Sequence, residues 1–289
     1  MSLPRVSIVT VNFNGAAYLE KTIRSVLDQG YPNLEYIIID GGSTDGSVEI
    51  IKKYESSLAY WVSERDSGMY DALQKGFAKS TGVVMGWLNS DDVYHPRAIQ
   101  NMVRVFERFP EIKWLTGVPS VIDEQDNITI PPVPSFPAWS KLRYYAFDYE
   151  WIQQESILWK RELWDAAGGK INTDLKYAGD LELWTRFFRH RKLYVAPFHT
   201  GAFRVRASGQ QSIQFKDKYL NEVRSTIRKE WLKISPLNAL LIIFNLFDKL
   251  VINIPLIGRV YNKTKFRRVL GYPPQIRFNP RTQEFELNG

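Results

Sequence analysis

VVMGWLNSDD (residues 83–92) carries an apolar run into two adjacent carboxylates, Asp91 and Asp92. An apolar run of this length reads as a buried strand, and the polar residues after it mark its carboxyl end. Two earlier runs have the same form. VSIVTV (6–11) leads into Asn12, Phe13, Asn14 and Gly15, and LEYIIID (34–40) ends on Asp40 before GGSTDGS. Between and after them lie helical stretches, 16–29, 47–54, 69–80 and 96–109, with apolar residues spaced for one buried face. Strands alternating with helices imply an α/β fold with a mainly parallel sheet.

The second half is less regular. KWLTGV (113–118), ESILWK (155–160) and KLYVAP (192–197) read as strands, and 180–190 reads as a helix. The proline-rich stretch from Pro119 to Pro137 reads as loops with a short hairpin. Tyr219, Val223, Ile227 and Trp231 recur every fourth residue, which predicts a long helix from about Ser212. The chain of 289 residues has room for a full core, and it has no cysteine, so disulfides and thiolate metal sites are excluded. We divide it into a domain of residues 1–211 and a helical, basic and apolar extension of residues 212–289.

In open parallel sheets, ligands bind at the carboxyl ends of the strands. If the three runs are neighbours, Asn14, Asp40, Asp91 and Asp92 meet on one rim. Paired carboxylates there suit Mg²⁺ or Mn²⁺, which take oxygen ligands and commonly share them with substrate phosphates. The plainer readings are that Asp91 and Asp92 cap the helix near Pro96, and that Asp40 and Asp45 close turns. Neither G-x-G-x-x-G nor G-x-x-x-x-G-K-[ST] follows the first strand, so a glycine-rich phosphate cradle is not expected.

Taken together, VSIVTVNFN, SVLDQGYPNLEYIIIDGGSTDGS and DSGMYDALQKGFAKSTGVVMGWLNSDD resemble the family 2 glycosyltransferases of GT-A fold. The resemblance is strong over 5–106 and weaker over 150–206. It implies a Rossmann-like mixed sheet flanked by helices, a nucleoside-diphosphate-sugar donor, a divalent metal and inversion at the anomeric carbon. By position it places Val11, Phe13 and Asn14 at the nucleobase end and makes Asp40 the acid that reads the base. Gly68 and Asp71 fall beside the donor sugar and diphosphate. Asn89 stands at the first acid of the D-x-D motif and Asp91 at its metal-binding acid, with Asp92 beside it. Gln74 stands where an Asn is common. Arg206, in FRVRASGQQS, replaces a His that often completes the metal site, and would instead bind diphosphate.

Inverting transfer needs a carboxylate that takes the acceptor hydroxyl proton. YAGDLELWTRFF (177–188) resembles the family's E-D block, with Gly179 for the Glu and Asp180 at the base position. Glu182 should point elsewhere, and Asp174 is the weaker candidate. A helix N-cap is the plainer reading of Asp180.

Residues 215–289 carry 14 Lys+Arg and 6 Asp+Glu, a net +8, and the remainder is −1. Apolar 235–258 followed by Arg259, Lys263, Lys265, Arg267 and Arg268 fits either peripheral membrane contact or packing on the core. No nucleic-acid partner is expected. The expected location is cytoplasmic, at or near the inner membrane face, with a glycan or lipid-linked acceptor and a role in cell-surface polysaccharide or glycolipid synthesis. The rival readings are a sugar-phosphate nucleotidyltransferase, which lacks its basic glycine-rich loop here, and a catalytically weak donor-binding scaffold.

Overall fold

The computed structural model of the chain describes residues 3–129, 140–145, 152–206, 214–232, 239 and 271–288. Its first half is built from β1 (Val6–Asn12), α1 (Ala16–Leu27), β2 (Leu34–Asp40), α2 (Ser47–Lys53), β3 (Tyr60–Ser63), α3 (Met69–Lys79), β4 (Val84–Asn89), β5 (Val93–Tyr94) and α4 (Ala98–Arg108). Then come β6 (Trp114–Ile122), β7 (Ile128–Thr129), α5 (Lys141–Tyr145), β8 (Ile157–Lys160), α6 (Arg161–Ala166), α7 (Gly179–His190) and β9 (Tyr194–Arg204). The chain closes with α8 (Lys216–Trp231) and a hairpin, β10 (Gln275–Asn279) and β11 (Glu284–Asn288).

One sheet runs in the order β3-β2-β1-β4-β8-β6-β9-β5, with β7 on β6. Strands β3, β2, β1 and β4 are parallel, and β8 pairs antiparallel with β4 and β6. The mixed sheet therefore agrees with the α/β expectation. Its register sets the rim, since Asn12 lies opposite Asp40 and Val11 opposite Asn89. The three strand ends meet as the sequence implied.

Successive β1 residues serve opposite faces, as strand geometry requires. Val9 and Val11 join a core with α3, α6, α7 and α8, whereas Val6 and Ile8 join one with α1, α2, α4 and the C-terminal hairpin. The first core is aromatic. Trp184 stacks on Trp87 with ring centres 5.5 Å apart and touches Trp114 and Trp159 at 5.5 and 6.0 Å. One α7 residue thereby joins β4, β6 and β8.

Several expected bounds shift. Helix α4 starts at Ala98, and its N-cap Arg97 has a φ of 61° with no side-chain cap bond, so Asp91 and Asp92 do not cap it. Strand β9 continues through Pro197 to Arg204. The β6–β9 register slips between Thr116 and Val118, a bulge that spares the proline a ladder hydrogen bond. The extension is not wholly helical: Ile276 and Phe285 of the hairpin are buried in the second core, and Arg108 pairs with Glu284 at 3.1 Å. Apart from Ala239, the apolar stretch 235–258 and the basic residues after it lie outside the described residues. Among the described residues no helix is long and apolar enough to cross a membrane.

Replacing Trp184 by Ala removes the indole shared by three strands and should cost about 3–5 kcal/mol of stability. Urea unfolding should show a lower midpoint at unchanged slope; a loss under 1 kcal/mol would show that this core does not depend on it.

Candidate active site

Asp40 ends β2 with no solvent exposure. Its Oδ1 accepts from Asn12 Nδ2 at 2.7 Å and Ser43 Oγ at 2.5 Å. Its Oδ2 accepts from the Gly42 and Ser43 backbone N–H groups at 3.2 and 2.9 Å and from Ser63 Oγ at 2.6 Å. Burial alone would raise its pKa; the hydroxyl and amide donors outweigh it and hold the carboxyl below its ordinary value. Both oxygens of Asp40, which the resemblance makes the acid that reads the base, are thus occupied in shaping the turn. Val11 lies at the same strand ends, opposite Asn89, with its side chain in the core and its backbone toward the rim.

Phe13 and Asn14 do reach the rim. Phe13 is 66% exposed. Asn14 sits at a φ of 50°, donates its N–H to Ser43 Oγ and accepts from the Thr44 N–H at 2.9 Å. The loop before α3 is held by Asp71, whose Oδ2 accepts from the Ser67 N–H at 3.0 Å and pairs with Lys75 at 3.5 Å. Gly68 takes a φ of 120°, which a side chain would oppose.

The two acids after β4 point in opposite directions. Asp92 is buried; its Oδ1 accepts from the Arg204 backbone N–H at 2.9 Å, and Gln154 and Asn89 approach Oδ2 at 3.4 and 3.5 Å. Burial, then the charges of Asp91 and Glu155, push its pKa well up. Asp92, expected beside Asp91 at a metal, thus turns its carboxylate inward onto a backbone amide. Asp91 faces outward, where its Oδ2 meets Arg206 at 3.1 Å. The Oδ1 of Asn89 is buried without a hydrogen-bond partner. Among the described residues no three His, Asp or Glu side chains converge on one point. Asp91 alone could hold a cation, with a ligand supplying the remaining oxygens.

Asp180 lies in the first turn of α7. The N-cap is Ala178, so the cap reading of Asp180 does not hold. Burial pushes its carboxyl up to about 6, against hydrogen bonds from the Leu181 N–H and the Tyr70 hydroxyl. The Tyr70 hydroxyl shares its one proton between Tyr177 O at 3.1 Å and Asp180 Oδ1 at 3.4 Å. The Tyr70 ring also explains Gly179: a Cβ there would stand 2.8 Å from it. Glu182 turns away to Arg186, at 2.8 Å. Gln74 accepts from the Ile171 N–H at 2.8 Å and fastens α3 to the loop before α7.

Two acids missed by sequence reasoning complete the site. Glu222 of α8 accepts the backbone N–H groups of Lys176, Tyr177 and Ala178 at 3.0, 2.9 and 2.9 Å, fixing the loop that delivers Asp180. No local pattern links residues so far apart in the chain. Glu155 is buried with Oε1 unpartnered, and burial pushes it up to about 8, with the charges of Asp180 and Asp91 adding to the rise. It thus couples electrostatically to both the acid of α7 and the acid after β4. Its signal was the QES triplet inside an otherwise apolar strand segment.

A direct check is the titration of Asp180 by carboxyl ¹³C NMR. The midpoint should fall at about 6 and rise in Tyr70→Phe, which removes a donor to the charged form. A midpoint near the ordinary carboxylate value would mean a solvated side chain.

Comparison with known proteins gives a consistent result. The description of glycosyl transferase family 2 matches residues 7–158. An uncharacterized glycosyltransferase of Rickettsia prowazekii is 28% identical over 195 residues, 66% of this chain and 61% of that protein. One of Mycobacterium tuberculosis is 42% identical over 92 residues, 32% of this chain and 35% of that protein. Bacillus subtilis TuaG, whose name assigns it provisionally to teichuronic acid biosynthesis, is 38% identical over 92 residues, 31% of this chain and 36% of its own. The alignments thus span from about a third to three fifths of these relatives. The crystal structure of S. aureus TarS 1-349 in complex with UDP-GlcNAc superposes with a TM-score of 0.64 at 15% identity, covering 92% of this chain and 77% of that one. The fold is of GT-A type, as the sequence resemblance implies.

Proposed function

The chain belongs to glycosyl transferase family 2, and we propose that it transfers a sugar from a nucleoside-diphosphate sugar to an acceptor hydroxyl with inversion. The observation that carries this reading is Asp180. It is a carboxylate raised to about 6, held by Tyr70 and by the Glu222-fixed loop. A base with that pKa is ionised at neutral pH yet basic enough to take a hydroxyl proton. In a single displacement the acceptor oxygen bonds to the anomeric carbon as the bond to the diphosphate breaks, and Asp180 receives the proton.

On the donor side, Asn89 ends β4 and Asp91 follows it where the phosphates would lie, with Arg206 beside Asp91. Mg²⁺ or Mn²⁺ would rest on Asp91 and on diphosphate oxygens, a pattern in which one protein carboxylate suffices. Such an ion stabilises the charge on the leaving diphosphate. Arg206, now paired with Asp91, would turn toward the same phosphates. The UDP-GlcNAc bound by TarS supports a nucleotide-sugar donor in this fold. TuaG's name supports a cell-surface polysaccharide as the product class. Contact of the C-terminal region with a membrane surface belongs to this reading and calls for a glycan or lipid-linked acceptor.

Asp180→Asn should lower transfer by a factor on the order of 10²–10⁴ while donor affinity stays nearly unchanged. The wild-type rate should fall as pH drops through about 6, where the base becomes protonated. NMR of the new anomeric centre should show inverted configuration. An active Asn variant, or a retained configuration, would refute the displacement.

Asp91→Asn should abolish the Mn²⁺-dependent part of nucleoside-diphosphate binding, read by calorimetry with and without the ion. Equal metal dependence in the folded variant would remove Asp91 as the ligand.

A further inference from the structure

We infer that Asp66 is the acid that reads the donor's nucleobase, and that its one open oxygen selects uracil. This rests on the reading that the rim holds a nucleoside-diphosphate sugar. Asp40 is saturated with hydrogen bonds, and the next residue is Gly41, which brings no side chain to the rim.

The space beside Gly41 is not empty. A Cβ built there would stand 2.6 Å from Asp66 Oδ2 and 3.3 Å from Phe13 Cδ2. The carboxylate of Asp66 therefore lies over the carboxyl end of β2, on the side of Gly41 that the exposed Phe13 ring also borders. It is a placed group. Its Oδ1 accepts from the Gly68 N–H at 2.8 Å, and its segment is tied down by Glu64 N to Asp40 O at 3.0 Å and by Ser67 N to Asp71. Asp66 Oδ2 has no hydrogen-bond partner among the described residues.

An aromatic face beside a fixed acceptor is what a planar base with a ring N–H requires: the ring stacks and the edge donates. Uracil brings one such donor, N3–H, for one free oxygen. Cytosine and adenine present a ring-nitrogen lone pair at that edge and would be repelled. Guanine presents two adjacent donors, and the second would find Oδ1 already engaged by Gly68. The geometry thus favours uridine among the common nucleotides.

The test is calorimetric titration of the full chain with UDP, GDP, CDP and ADP in Mg²⁺. Wild type should prefer UDP. Asp66→Ala should lose about 10- to 150-fold in UDP affinity, the value of one charge-assisted hydrogen bond, and should level the preference. Asp66→Asn keeps its oxygen on the Gly68 N–H and turns its amide N–H₂ outward, so preference should move toward CDP, whose N3 accepts. Gly41→Ala, which displaces the carboxylate without removing it, should also weaken UDP binding. If wild type binds UDP and Asp66→Ala binds it equally well, Asp66 is excluded while the donor reading stands. If wild type prefers GDP, the assignment of uracil is wrong. If wild type binds none of the four, the donor reading falls and this inference with it.

Discussion

A guanidinium with no solvent exposure organises the rim. Arg204 ends β9 with its Nε donating to Asp91 O at 2.7 Å, one terminal nitrogen donating to Asp123 O at 2.5 Å, and the other paired with Asp126 at 2.9 Å. Its plane lies over Tyr18 of α1 at 4.5 Å. A buried charge must be paired this fully, because an unpaired one costs several kcal/mol. Its backbone N–H takes Asp92, and Thr22 of α1 donates to Asp92 O at 2.8 Å. Four segments of the chain are thereby fixed at one point. Two adjacent acids cannot both ionise cheaply in such a place. The structure separates them, one buried on a backbone amide and the other turned to the cleft. The outward direction of Asp91 follows from the inward direction of Asp92.

The loop that leads into Asp180 depends on a different distant element. The loop 176–178 has three backbone donors in a row, and unsatisfied donors at a helix entrance are costly. Glu222 supplies the acceptor for all three from α8, whose Val223 and Ile227 are buried in the aromatic core below. The C-terminal portion of the chain is thus part of the active-site frame. Its hairpin likewise completes the opposite core.

How much of this was legible follows from the range of each interaction. LEYIIID gave β2 with both its bounds, and the convergence of three strand ends on one rim followed from local patterns plus a general rule of parallel sheets. The same patterns could not say which of two neighbouring acids would be buried, because that depends on Arg204, over a hundred residues later. The filling of Asp40 was illegible for a related reason: its five donors come from three segments, and a filled carboxylate has the same sequence as one left open. Pro197 looked like the end of a strand, but a bulge lets β9 pass it. The hairpin 275–288 was missed although Ile276, Phe278, Phe285 and Leu287 alternate, because its polar composition after a basic stretch reads as a tail.

One short segment joins the two halves of the cleft. In Asp66–Tyr70, the first residue places its carboxylate where Gly41 has no side chain, and the last places its ring where Gly179 has none. Between them Gly68, at a φ of 120°, makes the turn that aims Asp66 toward β2 and Tyr70 toward α7. Each glycine lets a side chain from this segment approach closely. The Tyr70 hydroxyl then touches Asp180, so the residue beside that carboxylate sits four positions from the acid beside the rim of β2. Position at one end of the segment constrains position at the other. A change at Gly68 would be felt on both sides of the cleft, although Gly68 contributes no side chain to either.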